Sequence, residues 1–264
     1  MHVNYSKSRT WLLNRDESMF SPASKALLVY GGLMCLALGL TYLYSFGDER
    51  TLRGVSVWNK PMKFMAATAL FAWTTVWVTH LANAAITYGR AYRDIGALLL
   101  ITSLFEVGYI SYQAAHGSAS HYNTSDLWHT MLFGLMAMAA VGLTATQGWL
   151  AWEIWKARGT AGLSVTAGAV IIGLTLTFVL STTSGFLLGG RQPPAGPGLP
   201  LVGWHLSNDI RPSHFLSVHA QQFIPLLGIL ALRFAGNHQR LILAAGSGVY
   251  LVAWGVLTWA GLRS

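Results

Sequence analysis

Across the middles of seven long apolar runs this chain places only one Asp, Glu, Lys or Arg, namely Glu106. The runs extend from Lys25 to Phe46, Phe64 to Ile86, Ile95 to Ala115, Leu127 to Leu150, Gly162 to Leu188, His214 to Leu232 and Leu241 to Leu262. A membrane-crossing helix needs about 20 apolar residues at about 1.5 Å each. Each run meets that length. Strands crossing lipid would have to close into a barrel, and the alternating pattern of a barrel is absent. The expected fold is therefore all-α: a polytopic integral membrane protein with seven transmembrane helices in one bundle. Residues 1–24 form a polar N-terminal cytoplasmic segment without a signal-peptide core, and 25–264 form the transmembrane domain.

Composition closes the other routes. Charged residues make up 10% of the 264 and hydrophobic ones 53%, which excludes disorder and an ordinary soluble domain. One cysteine, Cys35, excludes a disulfide scaffold, and no dense Lys/Arg run points to nucleic acid. The net charge of +8 is what basic flanks beside the anionic headgroups of a lipid bilayer produce.

With the N-terminus inside, Lys7, Arg9, Arg15, Lys25, Arg90, Arg93, Lys156, Arg158, Arg233 and Arg240 lie on the cytoplasmic side. Arg50, Arg53, Lys60, Lys63, Arg191, Arg211 and Arg263 lie on the other. The bias sets the N-terminus in the cytoplasm and the C-terminus outside a plasma (inner) membrane. Two long loops, after helices 1 and 5, are expected to be ordered covers on the outer face. The first runs from Gly47 to Lys63, with Val57 to Phe64 lying along the interface; the second runs from Gly189 to Ser213, rich in Gly and Pro, with a helix N-cap at Ser213.

Histidine is distributed unevenly. Of nine, His116, His121, His129, His205, His214 and His219 fall at one rim, at the ends of spans three, four and six or in the loops joining them. Two pairs repeat an HxxxxH spacing, His116 to His121 and His214 to His219. Convergent imidazoles hold zinc, copper or iron without any thiol. The pattern thus predicts His116, His121, His129, His214 and His219 as metal ligands, or His129 and His214 as a haem pair. It lacks the HxxHH boxes of membrane desaturases, and the seventh span has no histidine to supply the closing HxxxH of seven-span zinc hydrolases.

Glu106, Tyr109, Gln113 and His116 share about 80° of one helical face, while His214, Gln221, Gln222 and His219 form an arc on the sixth span. A charged carboxylate inside a span costs about 2.5 kcal/mol or more, so Glu106 is expected to be protonated, paired or facing a wet cavity. It lies about 15 Å below His116 along the axis, so the two cannot share one metal.

These features lead to a metal- or haem-dependent membrane enzyme, an oxidoreductase acting on a lipid-soluble substrate that enters from the bilayer. Glu106 would be its proton donor or acceptor, with Gln113 and Gln222 orienting water or substrate. The alternative is a proton-coupled transporter or receptor with Glu106 and the histidines as a titrating relay. Several residues have plainer roles on this reading. Trp58, Trp128 and Trp204 make an aromatic belt, Lys60 and Lys63 anchor to headgroups or meet an anionic substrate group, and Arg211 clamps a carboxylate or phosphate or pairs with Asp209. Thr177, Ser181 and Ser184 join helices, and His80 is structural.

Overall fold

The computed structural model describes residues 19–158, 162–189, 203–204 and 206–263. Seven helices dominate it: α1 (Pro22–Ser45), α2 (Asn59–Asn83), α3 (Arg90–Ala115), α4 (Leu127–Lys156), α5 (Val165–Gly189), α6 (Arg211–Phe234) and α7 (Gln239–Gly261). All seven are long and apolar enough to cross a membrane. Their starts follow local chemistry. The Ser21 hydroxyl accepts from the Ser24 amide, with Pro22 opening α1. The Asp126 carboxylate caps α4 by accepting from the His129 amide at 2.9 Å, and Ser164 accepts from Ala167 at the start of α5.

Between α1 and α2 stands a hairpin of two short antiparallel strands, β1 (Thr51–Leu52) and β2 (Val55–Ser56). Its two-residue turn, Arg53-Gly54, has positive φ at both positions, 53° and 74°. That is the backbone of the tight turn whose twist matches a hairpin, and Arg53 takes it despite its Cβ. The first loop is therefore shorter than the sequence suggests. Helix α2 begins at Asn59 rather than near Phe64, because a proline such as Pro61 costs no hydrogen bond in a first turn. Lys60 and Lys63 thus stand in the first turns of a helix. Helix α6 likewise begins at Arg211 with Ile210 before it, so Ser213 is not its cap. Ser213 is fully buried and donates to the Ile210 carbonyl at 2.9 Å.

Two ends of the bundle follow from cross-chain contacts. At the hairpin end, Arg50 donates to the Ala115 carbonyl at 2.8 Å, Trp204 to Leu52 at 3.0 Å, Tyr122 to Leu188 at 2.9 Å and Asn208 to Leu262 at 2.9 Å. These bonds gather the finishes of α3, α5 and α7 with the hairpin and the approach to α6. At the opposite end Ser24 donates to the Tyr92 hydroxyl, and Phe20 meets His80 edge-on. There His80 bonds its own helix at Val76, the structural role expected of it.

Helix α2 is the hub, touching α1, α3, α4, α5 and α6, while α7 lies outside against α5 and α6. The main core joins Leu27, Phe71, Val76, Ile95, Leu99, Leu150 and Leu174 from five helices. The outward surfaces of α1, α4 and α7 expose Leu33, Leu36, Leu40, Met131, Leu135, Val249 and Val252. Hydroxyls of Thr68, Thr75 and Thr79 bond back to carbonyls of their own helix, which lets α2 carry polar residues through an apolar interior.

The closest packing joins α5 and α6. A Cβ at Gly173 would stand 2.9 Å from the Ala220 carbonyl and from Pro225, and one at Gly228 would overlap the side chain of Ala169. Small residues let backbones approach in this way when lipid offers no hydrophobic drive to associate. Gly173→Leu and Gly228→Leu are expected to cost about 1–3 kcal/mol through overpacking. Gly248→Leu, where a Cβ meets nothing within 4 Å, should be near neutral. Thermal midpoints of the three purified variants in detergent check this, and equal midpoints would refute the close approach.

Candidate functional site at the hairpin end

The start of α2 is fixed by one carboxylate. Asp48 accepts from Arg50 Nε at 2.8 Å and from the Trp58 indole at 2.7 Å, and Arg50 reaches on to the last turn of α3. Hydrogen bonds from Arg50 first and Trp58 second hold the Asp48 carboxyl well below the usual carboxylate range. This anchor sets where Lys60 and Lys63 stand, in the first and second turns of α2.

Four cations meet there. The Arg53 guanidinium lies 4.7 Å from the centre of the Trp204 ring and the Lys60 ammonium 5.9 Å from it. On the other side of the same loop, the Cβ position of Gly203 is 3.8 Å from Arg211 Nη1 and 3.9 Å from Lys63 Nζ. Arg211 is forked onto Asp209 through Nε at 2.8 and 3.0 Å. Both α2 and α6 begin here, and neither has an acidic residue in its first turn. Cations at helix starts oppose the macrodipole, so the geometry concentrates positive potential from side chains and backbone together.

Glu106 sits below this rim. It is 5% exposed. Its charge and that of Lys60 act on each other, yet among the described residues neither group has a hydrogen-bond or ion-pair partner within 4.0 Å. The buried Tyr30 hydroxyl, also without a hydrogen-bond partner, lies within electrostatic range of Glu106 and beside Ser103 and Thr68. Gln113, 3% exposed, donates to the Tyr109 hydroxyl at 2.9 Å. The stripe Glu106, Tyr109 and Gln113 thus faces inward, as its helical spacing predicts.

The histidines divide. His116 is exposed at the end of α3, bonded to its own Tyr112 carbonyl at 2.8 Å and lying against the Tyr112 ring. His121 is enclosed by Phe64, Phe133 and Ser120, with ring centres 6.0 and 5.8 Å from the two phenyl groups. Burial first, and the Lys60 charge second, push its pKa well below the ordinary histidine value. His129 belongs to the cap of α4, bonded to Asp126 at 2.7 Å. The His129 amide first, and that bond second, hold the Asp126 carboxyl below its ordinary value.

His214 and His219 are near enough for their charges to interact. His214 bonds Ser184 at 2.7 Å, Ser184 donates to Ser217 at 3.1 Å, and the Trp254 indole donates to Ser217 at 2.8 Å. His219 lies 3.3 Å from Gln222, whose amide donates to Thr74 of α2 at 2.9 Å. Thr177 accepts from the Gln221 amide at 2.9 Å, so the α5 hydroxyl stripe does join helices.

His116, His121 and His129 therefore do not join His214 and His219 as one ligand set, and His129 and His214 are held by different partners. Among the described residues no group of three or more His, Cys, Asp or Glu is arranged to hold a metal ion. His205 and 190–202 of the second loop lie outside the described residues. The sequence reading gave Lys60, Lys63, Arg211 and Trp204 only secondary roles. A usable signal was present, since Lys60 and Lys63 flank a proline that starts a helix and Arg211 precedes another. Comparison with protein-family models, with curated proteins and with solved structures returns no match for this chain.

His121 gives the site a pH signature. Its folded form stays neutral while the unfolded chain takes a proton near pH 6.5, so the unfolded state binds more protons as pH falls below that value. Stability contributed by neutral His121 is complete above about pH 6.5 and declines on acidification. Wild type should lose thermal midpoint between pH 7 and 5 more steeply than His121→Gln. Parallel slopes for the two proteins would show that His121 is not held neutral.

Proposed function

We propose that this chain is an integral membrane protein, with its N-terminus in the cytoplasm, that binds the anionic head of a lipid-soluble molecule at the hairpin end. The reading is a proton-coupled transporter or receptor in which Glu106 is the titrating group. One observation carries it: Lys60, Lys63 and Arg211 gather at two helix starts above a buried carboxylate that has no hydrogen-bond or ion-pair partner among the described residues. The exposed apolar surfaces of α1, α4 and α7 support insertion in a bilayer, where such faces meet acyl chains.

The chemistry follows from competition. A ligand anion and the Glu106 carboxylate both draw on the Lys60 ammonium, so the anion binds best when Glu106 holds a proton. By linkage, binding then takes up a proton, and acid pH tightens binding. Arg211 supplies a planar fork for a carboxylate or phosphate, partly engaged by Asp209, and Trp204 offers a ring over which the cations are held. Gln113 and Tyr109 provide neutral hydrogen-bonding groups on the same stripe.

Oleate and dodecyl phosphate, titrated against the full chain in phosphatidylcholine nanodiscs, test this through tryptophan fluorescence. Saturable binding of at least one is expected, tightening by up to about tenfold per pH unit on acidification. Lys60→Gln should weaken it at least about tenfold, and Glu106→Gln should bind tightly at every pH. No saturable binding of either probe, or binding unaltered in Lys60→Gln, would overturn the proposal.

A second reading has one observation in its favour: His214 and His219 lie on the same helix within electrostatic range of each other. A metal- or haem-dependent oxidoreductase would draw iron, copper, zinc or haem to those two rings, with Gln222 beside them. The remaining predicted histidines stand against other partners, His116 on Tyr112, His121 between Phe64 and Phe133, and His129 on Asp126. Stoichiometric metal or a Soret band in the purified protein, lost in His214→Ala and His219→Ala, would favour this reading over the first.

A further inference from the structure

The end of the bundle opposite the hairpin holds a cavity of about 490 Å³ between the finish of α4, the start of α5 and the start of α7. Its walls combine two kinds of chemistry. Leu163, Val165 and Leu243 give it apolar sides, while Arg158 and Arg240 bring two guanidinium groups. Arg158 is preorganised: it stacks 3.6 Å from the centre of the Trp155 ring and donates to the Trp155 carbonyl at 2.7 Å. No carboxylate answers either charge among the described residues. The acids described at this end, Asp94 and Glu153, are already engaged by Arg93 at 3.0 Å and Lys156 at 2.8 Å.

Backbone adds to the same field. Helix α5 begins at Val165 and α7 at Gln239, and neither has an acidic residue in its first turn. Ser164 satisfies the Ala167 amide of α5 at 3.1 Å, which leaves earlier amides of that turn for an outside acceptor. Arg240 stands within the first turn of α7, where the helix dipole disfavours a cation unless an anion is adjacent. Two guanidiniums over a mixed polar and apolar hollow match a phosphate ester that carries an apolar portion.

We infer that this cavity is a binding site for a phosphate ester, with Arg158 and Arg240 as the anion clamp and Leu163, Val165 and Leu243 as the seat of its apolar part. The headgroup of an anionic phospholipid in the adjoining leaflet and a free phosphate compound share this chemistry. The site is separate from the hairpin-end site and does not depend on what binds there.

Gly168 offers a steric control, because it lines the cavity and a Cβ added there meets nothing within 4 Å. The full chain would be purified with phosphatidylglycerol and phosphatidylcholine, and bound lipid measured by native mass spectrometry. Inorganic phosphate would be tested separately for a shift in thermal midpoint. Wild type is expected to retain phosphatidylglycerol selectively, the double variant Arg158→Gln/Arg240→Gln about tenfold less, and Gly168→Phe similarly less. Lys25→Gln, which removes a charge on α1 away from the cavity, should match wild type. A phosphate-induced shift in wild type that the double variant lacks, with no selective lipid retention, would assign the site to soluble phosphate esters instead. If wild type, the double variant and Gly168→Phe agree in both lipid retention and phosphate response, the inference is overturned.

Discussion

A carboxylate inside an apolar bundle, without a direct partner among the described residues, is the constraint around which the hairpin end is organised. Glu106 is nearly inaccessible, and the compensating charge comes from Lys60 at a distance rather than through a direct bond. A buried ion pair in contact would be locked by its own desolvation balance. A separated pair leaves each group able to change partner. Holding the two charges apart but opposed requires that the start of α2 be positioned firmly, and that is the structural meaning of Asp48. Its carboxylate ties Arg50 and Trp58 together, and Arg50 carries the tie to α3, the helix that bears Glu106.

The second organising contact is the hairpin on the approach to α6. Arg53 occupies a left-handed backbone position that a glycine would take more easily, and its guanidinium lies 4.7 Å from the centre of the Trp204 ring, a favourable cation–π contact. Trp204 in turn donates to Leu52 beside the turn. The hairpin and the residues before α6 therefore fix each other, and through them Lys63 and Arg211 are brought to one place. Close packing of α5 on α6 through Gly173 and Gly228 then transmits that position into the bundle.

Much of this was legible in the sequence, for physical reasons that also mark where legibility stops. Spans follow from run length, and inward faces from the 3.6-residue period, which is why Glu106, Tyr109 and Gln113 are all buried as the spacing requires. His116 lies on the same spacing but at the end of α3, where the helix gives way to a turn and periodicity no longer fixes direction. The histidine cluster at one rim was a true statement about depth and a misleading one about neighbourhood. His129 is satisfied three residues away by Asp126, and His214 across the helix gap by Ser184, contacts that depend on which helices adjoin. Helix α2 starts before Phe64 because proline is tolerated in a first turn, so Pro61 lies inside the helix.

Charge placement at helix starts connects the two ends of the molecule. No helix in the bundle carries an acidic residue in its first turn, whereas Lys60 and Lys63 on α2, Arg211 on α6, Arg90 on α3 and Arg240 on α7 stand at or near theirs. In water this arrangement would be unfavourable at each helix by some tenths of a kcal/mol. Beside a bilayer, anionic headgroups would supply the negative charge that these first turns lack. At the hairpin end the Lys60 charge is also within electrostatic range of the buried Glu106 carboxylate. The two rims therefore differ in that a buried carboxylate, Glu106, faces the cations of one of them from inside the bundle.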